Sequence, residues 1–204
     1  MKTEILSAQT PNVITNALEI LLSGELVAFP TDTVYGVGCL AFHQQAIESI
    51  YVAKDRPIEK AIPVLIGDNE DLVKVAEEIP IFAMKLIARF WPGPLTVLVP
   101  KKPTLPEAIS ATSTVGVRVP DHDIARVLLR LAGPMAVTSA NISGQQSPTT
   151  AQQVFAQLGG RIPMILDGGE TPGGVPSTLV DCSDGEIQVL REGPITKEQL
   201  LNTI

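Results

Sequence analysis

Lys54 and Arg56 stand two residues apart in the stretch AKDRP, with Asp55 between them and Lys60 close behind. Lysine is a mobile point charge and arginine a rigid fork of donors, a pairing suited to phosphate oxygens. Pro57 biases Arg56 toward extended backbone, and in extended chain residues two apart project to the same side. The spacing therefore predicts a pincer for an anion. The competing reading is a solvated helix C-terminus, where the dipole favours cations. The whole chain carries a net charge of −7, so no general basic field accounts for the pair.

Four further stretches share one trait, polar groups at strand ends followed by turn residues. FPTDTVYG offers hydroxyls from Thr31, Thr33 and Tyr35 beside Asp32, though a capped turn would look the same. In VGVRVP, Arg118 alternates with valines, so a core-facing valine set puts the arginine on the opposite sheet face. VTSANISG clusters Thr138, Ser139, Asn141 and Ser143 where α/β sheets place ligands, at a strand's C-terminal end. VLREGP sets Arg191 at the end of a strand. Lysine and several arginines without an acid–base dyad suit phosphoryl or nucleotidyl transfer, which works by positioning and charge neutralisation.

Other chemistries are poorly supported. There is no G-x-x-x-x-G-K-[ST], which excludes a P-loop, and no G-x-S-x-G to make a nucleophile elbow. Gly36, Gly38 and Ala41 match G-x-G-x-x-A, but a polar loop precedes them and an apolar run follows, against the strand–turn–helix that a dinucleotide site needs. Asp121-His122-Asp123 could hold a metal, yet an acidic helix start explains it as well, so no protein metal site is assigned. The acidic balance argues against general nucleic-acid affinity. Cys39 and Cys182 form no disulfide or zinc pattern, which favours a reducing, cytoplasmic setting. No signal-peptide pattern is visible, and no apolar run approaches a membrane span. The sequon NIS at Asn141 carries no weight in such a setting.

The positioning elements alternate. A helix is predicted from a Thr10-Pro11 start to a stop at Gly24, then a strand in ELVAFP, a strand in VGCLAF and a helix over QQAIESIYVA. A strand in AIPVLIG precedes helices over 68–78 and 81–90, and WPGP breaks the pattern. Strands in LTVLVP and VGVRVP, a helix in DIARVLLRLAG and a strand in PMAVTSA follow. TTAQQVFAQLGG is a helix capped by Thr149 or Thr150. Strands in PMILDGG, STLVDCS and EIQVLREG come next, the last two joined at Asp184-Gly185. The chain closes on a helix with a Thr196/Gln199 capping box. The expectation is a single α/β domain over 1–204, a twisted mixed sheet with parallel and antiparallel strands flanked by helices. Its 204 residues suffice to bury roughly 70% of the extended surface.

Taken in order, FPTDTVYGVG, AKDRP, IPVLI, WPGPLTVLV, VGVRVP, TSANISG, SPT, DGG, PSTLVD and LREGP resemble the YrdC/TsaC family of L-threonylcarbamoyladenylate synthases, over about 27–194. The resemblance implies a YrdC-like fold in its short, single-domain form. It implies a nucleotidyltransferase joining L-threonine, bicarbonate and ATP into threonylcarbamoyl-AMP and pyrophosphate. A separate complex then passes the threonylcarbamoyl group to tRNA. The family's K-x-R and S-x-N residues are Lys54, Arg56, Ser139 and Asn141. By the same carry-over Arg56, Lys60, Thr114, Ser139, Ser147 and Arg191 would contact ATP. Thr33, Arg118 and backbone near Val137 would hold L-threonine. Mg²⁺ is expected with ATP, and no organic cofactor. Two positions depart from the family pattern: Ala61 follows Lys60 where proline is common, and Leu65 stands where some members place a histidine. The alternative is a double-stranded RNA or tRNA-binding module of the same fold without the chemistry. Lys101 to Thr114 has the composition of a lid.

Overall fold

Short apolar runs ended by proline, glycine or polar turns become strands. The computed structural model describes residues 1–184 and 186–204. Its strands are β1 (Glu4–Ser7), β2 (Val27–Phe29), β3 (Gly36–Leu40), β4 (Val64–Leu65), β5 (Leu95–Pro100), β6 (Thr114–Arg118), β7 (Met135–Ser139), β8 (Met164–Asp167), β9 (Thr178–Asp181) and β10 (Gln188–Arg191). Its helices are α1 (Val13–Leu22), α2 (Gln44–Ala53), α3 (Ile81–Phe90), α4 (Asp123–Ala132), α5 (Ala151–Leu158) and α6 (Lys197–Leu201). The strands join in one sheet, ordered β1-β8-β2-β3-β7-β4-β6-β5-β9-β10. Pairs β1/β8, β2/β8, β4/β6 and β5/β9 are parallel, while β2/β3, β3/β7, β4/β7, β5/β6 and β9/β10 are antiparallel. The expected mixed sheet is therefore found.

Strand alternation divides the core into two layers. Val27 and Phe29 of β2, with Met135 and Val137 of β7, face α1 and α4, which contribute Ala17, Leu21, Leu128 and Leu129. Ala28 and Ala136 point the other way, into the larger layer with Ile47 and Ile50 of α2, Leu86 of α3 and Val154 of α5. No described helix is long and apolar enough to cross a membrane.

Most predicted elements are in place. The helix read from QQAIESIYVA is α2, residue for residue. Thr150 caps α5 by accepting from Gln153 N, and the Thr196/Gln199 capping box of α6 is complete. Several readings need correction. α1 begins at Val13 behind Asn12, which takes a left-handed φ of 62°, rather than at Thr10-Pro11. The helix expected over 68–78 is only a 3₁₀ segment, Asn69–Lys74. Asp68 does not cap it, because both its carboxylate oxygens accept from Arg126 and Arg130 of α4. β1 was not foreseen: its residues are mostly exposed, and it forms by pairing with β8 at the sheet edge. The Asp184-Gly185 turn includes Gly185, which lies outside the described residues. Gly36 and Gly38 are strand residues, not a phosphate loop. A Cβ at Gly38 would lie 2.5 Å from the Ala136 carbonyl, so β3 needs glycine there to approach β7.

Candidate functional site

The ends of β2, β6, β7 and β10 and the turn after α2 surround one cleft of about 270 Å³. Its wall includes Thr33, Arg56, Arg118, Val137, Ser139 and Arg191. Six side chains scattered over 33–191 are thereby gathered in one place.

Arg118, the last residue of β6, is buried. It donates from Nε to the Gly93 carbonyl (3.0 Å) and from Nη1 to Thr33 Oγ1 (3.0 Å), and Nη2 is paired with Asp32. Burial lowers its pKa, and the Asp32 carboxylate opposes that shift. Three of its five N–H groups are thus used. The hydroxyls beside it are ordered by elimination. Thr31 Oγ1 donates its one proton to the Val34 carbonyl (2.7 Å). In the 3.0 Å contact between the two threonines, Thr33 must then be the donor to Thr31. With its proton committed and one lone pair taken by Arg118, Thr33 Oγ1 can offer a ligand only an acceptor.

Lys54 lies at the C-terminal end of α2, where its N–H bonds the Ile50 carbonyl. Asp55 follows with φ 49°. The segment is not extended as the pincer requires: Lys54 ends α2 in helical backbone, Asp55 takes the left-handed region, and Arg56 N closes the turn on the Tyr51 carbonyl (2.9 Å). Lys54 goes inward and is 1% exposed. Its ammonium donates to the carbonyls of Ser139 and Asn141. Burial, and secondarily the Arg56 charge, brings its pKa down to about 7. Asn141 is also buried; its Nδ2 donates to the carbonyls of Ile142 and Gln145, while Oδ1 has no partner. Lys54, Ser139 and Asn141 therefore form one unit beneath the cleft.

Arg56 is half-buried and folds over its own loop, donating from Nε to the Lys60 carbonyl (3.0 Å) and from Nη2 to the Ala61 carbonyl (2.8 Å). Arg191 is held by Ser177, which leads into the neighbouring strand β9 and whose carbonyl accepts from Nε (3.0 Å) and Nη2 (2.9 Å). Ser177 Oγ is 2.7 Å from Thr96 Oγ1. Both Thr96 and Ser177 line the cleft. Their signal in the sequence is slight, one hydroxyl residue each at the start of LTVLVP and STLVD.

Three expected ATP contacts lie outside this wall. Lys60 is exposed, and Ser147 is half-buried in the loop before α5. Thr114 lines an adjoining cavity of about 470 Å³, which shares Ala61, Pro63 and Leu179 with the cleft. Of the two departures from the family pattern, Ala61 and Leu65, both line the cleft. The segment Lys101 to Thr114 is pinned by buried Leu105 and Ile109, and the Ile109 carbonyl accepts from Ile62 N (2.8 Å). His122 immediately precedes α4 and Asp123 lies in its first turn, the helix-start reading of that acidic stretch.

A family model described as "Telomere recombination", of the Sua5, YciO and YrdC proteins, matches residues 19–193. The chain belongs to the Sua5/YciO/YrdC family. It is 44% identical to the threonylcarbamoyl-AMP synthase of Bacillus subtilis over 97% of its own length and 58% of the relative's. It is 38% identical to a putative threonylcarbamoyl-AMP synthase of Mycobacterium tuberculosis, over 94% of itself and 88% of that protein. Among solved structures, Pyrococcus abyssi Sua5 complexed with L-threonine superposes with a TM-score of 0.94 at 40% identity, over 100% of this chain and 61% of that one. The chain thus spans somewhat more than half of the Bacillus and Pyrococcus proteins.

Proposed function

We propose that the chain is an L-threonylcarbamoyladenylate synthase. The observation that carries this is one cleft in which Arg118, tied to Asp32 and Thr33, faces the same space as Arg56 and Arg191. Such a site can hold an amino acid carboxylate at one end and phosphates at the other. Relatives named threonylcarbamoyl-AMP synthase and a relative complexed with L-threonine support it.

In this reading the unused N–H groups of Arg118 take the threonine carboxylate. Thr33 Oγ1, left as an acceptor, takes a hydrogen bond from the substrate hydroxyl. The threonine amine attacks bicarbonate and water leaves, giving the carbamate. A carbamate oxygen then attacks the α-phosphorus of ATP, and the bond to pyrophosphate breaks. Arg56, Arg191 and Lys54 offset the charge that develops there. Ser139 and Asn141 hold the Lys54 ammonium through their carbonyls; Lys60, Thr114 and Ser147, which lie outside the cleft wall, would make outer contacts to the nucleotide, as the family resemblance implies. The backbone of Val137 borders the threonine end. Mg²⁺ enters on the triphosphate as part of that substrate, since magnesium is usually held by substrate phosphates and few protein ligands.

The product is a labile mixed anhydride that needs a prompt acceptor, and the family resemblance implies that a threonylcarbamoyl-transfer complex acting on tRNA is its consumer. Buried free thiols Cys39 and Cys182 suit a cytoplasmic setting.

The test is pyrophosphate release from ATP with L-threonine and bicarbonate omitted in turn. Release that requires both is expected. ATP binding without release under any combination would overturn the synthase reading and bring RNA binding forward.

A further inference from the structure

The segment Gly168 to Ser177, GGETPGGVPS, is not accounted for by any substrate contact above. It runs from the end of β8 to the start of β9 and lies against the loop that carries Asp32 and Thr33. Its beginning is anchored by Tyr35, whose hydroxyl donates to the Gly169 carbonyl (2.7 Å) and accepts from Gly168 N (3.2 Å). Its middle is anchored by Thr171 N, which donates to the Thr149 carbonyl (2.9 Å). At Gly173 it meets the loop directly. A Cβ there would stand 2.8 Å from the Asp32 carbonyl oxygen, 2.8 Å from Thr33 Cα and 2.9 Å from the Thr33 carbonyl oxygen. All three atoms are backbone, so no side chain can swing away. The next residue, Gly174, donates its N–H to that same Thr33 carbonyl (2.9 Å) and has φ 68°. At its end the segment supplies Pro176 and Ser177 to the cleft wall.

We infer that this segment is a positioning strap for substrate specificity: Gly173 and Gly174 set where the Thr33 hydroxyl stands relative to Arg118. The inference rests on the synthase reading. Thr33 bonds Arg118 through its side chain and the strap through its carbonyl, so moving the strap moves the acceptor offered to the substrate hydroxyl. A site built around a substrate hydroxyl rejects the analogue lacking it far more strongly than one that lacks a methyl group. That rejection depends on the hydroxyl acceptor being held in register. Arg191 is the outer boundary of the same device, because the strap ends on the Ser177 that holds it.

Gly173→Ala tests this by adding one methyl against the backbone of residues 32 and 33. L-Threonine, L-2-aminobutyrate (the same skeleton without the hydroxyl) and ATP are titrated by calorimetry into wild type and variant. Wild type is expected to prefer threonine by a wide margin. In Gly173→Ala the ratio of the two amino acid affinities should fall at least about tenfold, with ATP affinity changed less than about twofold. Gly133→Ala is the stability control. It strains a glycine of φ 80° at the end of α4, where a Cβ meets nothing within 4 Å, and it should keep the wild-type ratio. Tyr35→Phe loosens the strap's first anchor without adding an atom and should lower the ratio in the same direction, which keeps the inference testable if Gly173→Ala does not fold. An unchanged ratio in whichever strap variant folds, or an equal fall in Gly133→Ala, overturns the strap. Wild type that binds ATP but no L-threonine overturns the substrate reading, and the strap's role falls with it.

Discussion

At the scale of single residues, the site is governed by where each charge finds its counterpart. Arg118 is buried against Asp32. Removing one partner of such a pair leaves the other uncompensated, which costs about 3–5 kcal/mol. Arg118→Ala should therefore show two effects together, a loss of that order in urea unfolding and a raised L-threonine requirement. An unchanged threonine requirement would count against its role. Lys54 has carbonyl partners, Ser139 and Asn141, and a pKa brought down to about 7. Above that pH the free side chain is mostly neutral. Triphosphate beside it favours the ammonium, so ATP binding at pH 8 should take up a proton. The measurement is calorimetry in buffers of different ionisation enthalpy, and Lys54→Met should abolish the uptake. The same depressed pKa makes wild type gain stability relative to Lys54→Met as pH rises from about 7 toward the ordinary lysine value, because the unfolded chain binds the extra proton in that window. Arg56→Ala, which leaves the core untouched, should lower pyrophosphate release by about 10²–10³-fold.

At the scale of elements, the sheet centre sets the cleft's back wall. β3 and β7 approach closely at Gly38, where a Cβ would meet the Ala136 carbonyl at 2.5 Å and Val137 Cγ2 at 2.7 Å. Gly38→Ala should cost about 1–3 kcal/mol by overpacking and displace Val137, which lines the cleft. The turn after β4 is held differently. Asp68 binds Arg126 and Arg130 of α4, and these guanidinium groups hold its carboxyl far below the ordinary range. The pairs are partly exposed, so Asp68→Asn should cost only about 1 kcal/mol. A depressed carboxyl stabilises above its unfolded value and loses that contribution as pH falls. The gap between wild type and Asp68→Asn should close as pH drops below 3.8, a result readable from thermal unfolding in acid.

At the scale of the whole molecule, both apolar layers share one sheet. Leu128 belongs to the layer with α1 and α4, and Ile50 to the layer with α2, α3 and α5. Leu128→Ala and Ile50→Ala should each cost about 2–5 kcal/mol and shift a single cooperative transition, since neither layer can lose its sheet without the other. Two separate transitions in calorimetry would contradict this. The net charge of −7 disfavours binding of extended polyanions over the surface as a whole.

What the sequence by itself determined was local. The apolar period marked out α2 and α4, hydroxyl residues marked the caps at Thr150 and Thr196, and prolines and glycines marked strand ends. Each of those signals is an interaction between residues a few positions apart, so it is visible in a linear string. The grouping of Thr33, Arg118, Ser139 and Arg191 could be suspected from their common place at strand ends and from resemblance. Only the tertiary structure decided the rest. β1 exists because β8 is there to pair with it. Lys54 turns inward because Asp55 takes a left-handed turn and two carbonyls from another strand end receive the ammonium. Thr33 becomes an acceptor because Thr31 and Arg118 claim its other hydrogen-bonding capacity. These outcomes depend on partners from two (Thr31 and Thr33) to 160 (Glu4 and Met164) positions away, and hydrogen-bond polarity is settled only when every donor has been matched with its acceptor in space.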